Sequence, residues 1–334
     1  MTKGWDMKKL LRYCGLVAIA GAALYLPNCD DEGPGPAPYT GPWKIVPCPE
    51  GPSYLKGVFF VNPALGYAVG CRYILKYDGS AWEVDHVYPI EEGKETAGFN
   101  DVWFNDPDDG WVVGDWGDGK LQKGLIAHYD GVKWTEVENI PESVWWECVF
   151  FLDKNNGWVG GYGISRWDGS RWHYESEVGF ITGLYFNSPT DGWAVSKYSE
   201  SIYHYDGTTW TRVHDDPWGI ELYSVWFTSL DHGWAGGSRT ISEAQSCLME
   251  YKNGKWSYYQ LPDRRSGINA LHFSSPANGW AVEQSTFRWD GERWWHVKRP
   301  PPETRTGTLF DVFTIDENDA WAVGDGRTIF HYEP

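Results

Sequence analysis

Long hydrophobic runs are nearly missing from this sequence. The 12-residue run from Gly15 to Leu26 falls well short of the roughly 20 residues a membrane-crossing helix takes, which excludes a bundle of membrane helices. Positive charge is scarce too, with 28 Lys and Arg against 46 Asp and Glu and a net charge of −18. Such a surface repels phosphate backbones, so nucleic acid is not an expected partner. There are six cysteines, Cys14, Cys29, Cys48, Cys71, Cys148 and Cys247, and none falls in a CxxC or Cys/His spacing suited to zinc. No P-loop, dinucleotide fingerprint, HExxH or Ser/His/Asp motif occurs either. Nothing here calls for a metal or a cofactor.

Aromatic residues are abundant: 17% of the chain, including 23 Trp, beside 39 Gly. A chain this aromatic has much to bury and is not disordered. The stretch from Asp101 to Trp134 shows how they are arranged, reading DVWFNDPDDGWVVG, a loop, then LIAHYDGVKW. Its Gly-Trp-Val-Val-Gly piece recurs at Gly66, Gly157, Gly192, Gly233, Gly279 and Ala320, so that there are seven copies separated by 44, 47, 35, 41, 46 and 41 residues. A period of about 40 to 45 with short alternating apolar segments marks four-stranded propeller blades. The expected fold is therefore all-β, a seven-bladed β-propeller of four-stranded antiparallel blades. An array of this kind grows by adding units, so 334 residues need no second core.

Each copy carries the same columns. A first strand alternates a large apolar residue (Leu55, Phe99, Trp146, Ile181, Leu222, Ile268, Leu309) with a mostly small one two places on. The small column reads Gly57, Asp101, Cys148, Gly183, Ser224, Ala270, Asp311. Period two is a strand, and narrow side chains suit the strand nearest a crowded axis. The third and fourth strands are joined by an Asp-Gly hairpin at Asp78, Asp130, Asp168, Asp206 and Asp290. The last copy stops before its fourth strand, while Trp43 to Val46 reads as a fourth strand with nothing before it. Pairing the two fragments closes the ring and leaves no open edge.

The hairpin Asp78-Gly79-Ser80-Ala81-Trp82 and its equivalents resemble a shortened Asp-box of sialidase-type (BNR) propellers. The Trp-Ala-Val-Gly strands are similar to those of photosystem II stability and assembly factor-like propellers, a group with many exported bacterial members. The resemblance covers residues 41–334 and implies fold more than function, because such repeats serve both enzymes and binding proteins.

The first 28 residues read as a targeting segment, with Lys3, Lys8, Lys9 and Arg12 ahead of the apolar run. Cys29 follows, then the acidic, Gly/Pro-rich spacer Asp30 to Pro38. This order resembles a bacterial lipoprotein signal with Cys29 as the lipidated residue; plain secretion and a retained anchor are the alternatives. Residues 1–28 are expected to be a signal peptide, 29–40 a linker and 41–334 the propeller. Removing the signal takes away four bases and one acid, so the mature charge is −21. In an exported chain Cys48 and Cys71 are either a disulfide or two thiols.

The Trp columns account for most of the Trp excess, leaving Trp116, Trp145 and Trp218 in loops of one propeller face. Loops of that kind commonly bind, and an indole there stacks on a sugar or anchors a protein. Arg72, Arg239 and Arg327 also follow second strands and complete the candidates for ligand or partner contact, together with the inner-strand Asp101 and Asp311. A sialidase needs three arginines gripping a carboxylate, a Tyr nucleophile and an acid, and no motif around these arginines matches one. The five hairpin aspartates recur too regularly to be catalytic. The expected protein is an extracytoplasmic, lipid-anchored, monomeric, non-catalytic platform for a protein or ligand. The alternative is a carbohydrate-binding or glycoside-hydrolysing propeller.

Overall fold

A computed structural model describes residues 41–89, 96–117, 122–143, 145–198, 201–215, 219–239, 248–262, 267–300 and 307–334. They fold entirely as strands and connections. The short β1 (Trp43–Ile45) precedes a four-stranded sheet of β2 (Gly57–Asn62), β3 (Leu65–Gly70), β4 (Tyr73–Tyr77) and β5 (Trp82–Val87). The next sheet comprises β6 (Thr96–Asp106), β7 (Asp109–Gly117), β8 (Gln122–Tyr129) and β9 (Trp134–Glu136). A six-stranded sheet follows, with β10 (Trp146–Asp153), β11 (Asn156–Trp167), β12 (Trp172–Ser188), β13 (Asp191–Ser196), β14 (Ser201–Tyr205) and β15 (Trp210–Asp215). After it come β16 (Ile220–Ser229) to β19 (Lys255–Tyr259) through β17 (His232–Arg239) and β18 (Leu248–Lys252), then β20 (Ala270–Ser275), β21 (Asn278–Val282), β22 (Thr286–Trp289) and β23 (Trp294–Val297). The last sheet joins β24 (Leu309–Asp316), β25 (Asp319–Gly324) and β26 (Thr328–Tyr332) to β1.

The count of seven four-stranded blades is thus corrected to six sheets, five of four strands and one of six. The cause is β12, which runs 17 residues without a break. Its first half pairs with β11, from Trp172↔Trp167 to Phe180↔Tyr162, and its second half pairs with β13, from Ile181↔Ser196 to Ser188↔Asp191. The repeats at Gly157 and Gly192 are only 35 residues apart, the shortest interval in the chain. The stretch from His173 to Thr182 has no Pro, Asn or Asp to start a turn, so the strand carries straight on. Gly179, at φ +115°, absorbs the change of direction.

The ring closes through β1 and β26 in the register Trp43↔Tyr332, Lys44↔His331 and Ile45↔Phe330. Trp43 is fully buried and meets Trp280 edge-on at 4.8 Å. Lys44 adds an ion pair with Glu333.

Between repeats the second-strand indoles stack on a phenylalanine of the following repeat: Trp158 on Phe186 at 3.6 Å, within the six-stranded sheet, and Trp193 on Phe227 at 4.7 Å and Trp111 on Phe151 at 5.1 Å, from one sheet to the next. The same phenylalanines explain the glycine before each Trp. A Cβ on Gly192 would lie 2.3 Å from the Phe186 ring, and one on Gly110 2.4 Å from Phe104. In the last repeat the phenylalanine becomes Thr314 and its cross-strand neighbour becomes Ala320, so the two positions change together. At the axis Gly57 and Gly183 permit the inner strands to touch, since a Cβ on either would stand 3.1 Å from the Cα of Asp101 or Ser224.

The Asp-Gly hairpins are structural. Asp78, Asp130, Asp168, Asp206 and Asp290 each accept the backbone N–H groups two and three residues on, at 2.8–3.0 Å. The glycine after each sits at φ between +87° and +94°.

Candidate functional site

The inner strands surround a central cavity of about 410 Å³ whose lining includes Lys56, Asp101, Glu147, Lys197, Tyr223 and Asp311. Asp101 and Asp311 both face it and act as clasps between repeats. Asp101 accepts the N–H of Val102 at 2.8 Å and, across the joint, that of Val149 at 2.9 Å. Asp311 accepts those of Val312 and Val58, both at 2.8 Å. Other joints use different pairs, with Leu271 N–H donating to Ser224 Oγ at 3.1 Å and Thr182 Oγ1–H to the Leu222 carbonyl at 2.6 Å. A further joint has Thr314 N–H donating to His272 Nδ1 at 3.0 Å. Burial lowers the His272 imidazole to about 3, so it stays a neutral acceptor.

Burial also pushes the Asp101 carboxyl up to about 7 against the opposing pull of its two N–H donors. Asp311 is raised well above the ordinary carboxylate range by the same cause, reinforced by the charge of Asp101. Among the described residues no cluster of three or more His, Cys, Asp or Glu side chains is placed to hold a metal ion. Both aspartates spend their oxygens on backbone amides.

Arg72 and Arg327 make separate contacts. Arg72 packs its guanidinium over Tyr73 at 5.7 Å, and Arg327, in the left-handed region at φ +65°, donates to the Cys48 carbonyl at 3.0 Å. The backbone of Arg239 pairs with Ile220, while its side chain lies outside the described residues. Neither Arg72 nor Arg327 lines the cavity. Cys48 and Cys71 are free thiols: Cys71 Sγ lies 3.3 Å from Ser53 Oγ, and Cys48 Sγ donates to the Pro49 carbonyl at 3.5 Å. Trp218 and Cys29 fall outside the described residues.

Trp116 and Trp145 are partly buried and belong to different neighbourhoods. Trp116 packs against the cluster around Phe99, with the Lys123 ammonium 5.9 Å from its ring. Trp145 meets Phe180 edge-on at 6.2 Å. Phe180 in turn contacts Tyr162 at 4.9 Å and Tyr198 at 5.2 Å, and these two tyrosines are 52% and 64% exposed. The result is an aromatic shelf on the face carrying the second-to-third strand connections. Lys197 links it to the cavity, with its ammonium 5.5 Å from both the Tyr198 and Tyr223 rings and 3.8 Å from Glu221. Of the shelf, sequence reasoning found only Trp145. Tyr162 and Tyr198 also stand just past a second-strand motif, outside every repeated column, but a search confined to Trp passes over them.

No protein-family model matches this sequence, and comparison with curated proteins finds no match. Solved structures match over most of the chain. YCF48 bound to a D1 peptide aligns with TM-score 0.64 and 18% identity over 90% of this chain and 99% of that one. YCF48 from Cyanidioschyzon merolae aligns with TM-score 0.62 and 18% identity over 87% and 99%. The extracellular domain of the one-component system BT4673 from B. thetaiotaomicron aligns with TM-score 0.66 and 12% identity over 88% of this chain and 40% of that one. These likenesses establish the β-propeller fold.

Proposed function

We propose that the chain is an extracytoplasmic, non-catalytic propeller that binds a polypeptide on its shelf face, tethered by a lipid on Cys29 through the spacer 29–40 once residues 1–28 are removed. The observation that carries the reading is the shelf itself. Two tyrosines left more than half exposed, backed by Trp145 and Phe180 and joined to the central cavity by Lys197, form the apolar anchor with a charged group beside it that protein partners use. A structural neighbour that holds a peptide supports it. A glycan would stack on the same tyrosines, which is the alternative.

The test is a photo-crosslinking residue at position 198 in cells, with position 84, exposed on the outer strand β5, as control. Capture of a discrete polypeptide at 198 and none at 84 is the expected outcome. Saturable binding to a glycan array, lost in Tyr162→Ala and Tyr198→Ala, with no polypeptide captured would establish the alternative. The anchor is read separately: Cys29→Ser should release the protein from membranes.

A further inference from the structure

A second cavity, of about 420 Å³, lies at the hairpins opposite the shelf, where β15 meets the next repeat. Its peculiarity is visible against equivalent strands. β5, β12 and β15 each carry one extra residue three places after the starting Trp, shown by a register shift opposite Ile74, Ile164 and Ile202. In β5 that residue is Asp85, whose Oδ2 accepts the indole N–H of Trp134, in the following repeat, at 2.9 Å. In β12 it is Glu175, whose Oε1 accepts that of Trp210 at 2.8 Å. In β15 it is Val213, which accepts nothing and stands 47% exposed. Among the described residues the indole N–H of Trp256 is consequently buried without an acceptor, and Nε2 of His214, which lines the same cavity, has no hydrogen-bond partner either. Fourth strands without the extra residue leave their neighbour's indole unpaired too, but there the third residue on (Val46, Val137, Tyr259, Val297) packs into the core. Val213 leaves a cavity instead.

We propose that this cavity is a binding site for a carboxylate carried on an apolar body, which supplies from outside the oxygen that Asp85 and Glu175 supply within the chain. Trp256 donates to it, Val213 moving aside to admit it, and Lys255 at the rim gives the opposite charge. Asp191, the acid facing the site, has its oxygens engaged by His204 at 2.7 Å and Asn187 at 2.9 Å. The walls of Trp193, Tyr251 and Leu230 take the apolar part. The net charge of −18 opposes an approaching anion only within a Debye length, about 8 Å at physiological salt.

The probe is phenylacetate, read by the indole ¹⁵N–H resonance of Trp256, assigned by its disappearance in Trp256→Phe. Benzylamine is the charge control, and acetyl-Phe-Asp-amide carries the same carboxylate on a peptide. A saturable shift of that resonance is expected from at least one carboxylate probe. A shift from phenylacetate alone identifies a free acid, and one from the peptide an acidic side chain of a partner. Val213→Glu places a carboxylate where Glu175 stands in its own strand and should weaken the probe roughly tenfold or more. A Trp256 resonance unmoved by both carboxylates, equal binding of benzylamine, or undiminished affinity in Val213→Glu overturns the proposal.

Discussion

Asp101 shows what a single side chain contributes to this ring. In the small inner column a carboxylate replaces glycine, alanine or serine, and its reach is used to hold an amide of the next repeat. The cost is a charge held in a poorly solvated place, which raises its pKa to about 7. A free aspartate titrates near 3.9. The folded state therefore binds the proton more tightly than the unfolded chain, and stability contributed by the protonated form is present below about pH 4 and declines up to about pH 7. Urea melts from pH 4 to 8 should show this decline, and Asp101→Asn should flatten it by about 1 to 2 kcal/mol, since the residue keeps some access to the cavity. A pH slope identical in the variant would show that the clasp is not strained by its charge. Asp78 and Asp290 run the other way: their exposed carboxylates are held down to about 2 by hydrogen bonds, first from Ser80 and from the Trp295 indole, so their contribution is lost in acid.

At the scale of the strand, the Gly-Trp motif is an arrangement between neighbours. Its glycine exists because the phenylalanine on the adjoining inner strand lies across it, as Phe186 lies across Gly192. Gly192→Ala should cost about 1 to 3 kcal/mol by overpacking. Phe186→Thr loses the ring that stacks on Trp158 and should cost about 3 kcal/mol or more. The double variant copies the Thr314–Ala320 pair of the last repeat. It should be no less stable than Phe186→Thr alone, giving a coupling of about 1 kcal/mol or more in a double-mutant cycle of chemical melts. Strict additivity would mean that the ring and the glycine do not meet. Such columns are what made the fold legible in the amino-acid sequence: a motif at near-constant spacing reports strands, hairpins and which residue packs where. The sheet count was not legible, because a repeat interval of 35 instead of 41 to 47 gives the same strands but deletes a connection. The shelf was only partly legible, since Tyr162, Phe180 and Tyr198 become neighbours only when β11, β12 and β13 lie side by side. Val213 was hidden for another reason: an extra residue in a strand leaves no signature in apolar periodicity.

For the whole molecule, closure rests on three residue pairs between β1 and β26 and on the buried Trp43. Deleting residues 41–47 opens that edge and empties the space under Trp280, a loss of about 3 to 5 kcal/mol. Chemical denaturation of the truncated chain should show it as a lowered midpoint with an unchanged slope; a midpoint equal to that of the intact chain would mean that the ring does not depend on the seam. The continuous β12 sets the opposite extreme. Elsewhere neighbouring repeats meet through stacked rings, a clasp and a backbone hydrogen bond such as that from Phe99 N–H to the Cys71 carbonyl at 2.6 Å, whereas across β12 a continuous strand is itself the joint. β12 therefore ties the strands on either side of it into one sheet, the one place where two repeats share a strand among the described residues. A pull transmitted along the N-terminal segment enters at β1, the shortest splice in the circle. The ring thus has one joint made by a continuous 17-residue strand and one made by a three-residue strand. A pull from the N-terminal side is expected to open the second first, which force spectroscopy on the intact chain and on a Trp43→Ala variant would check.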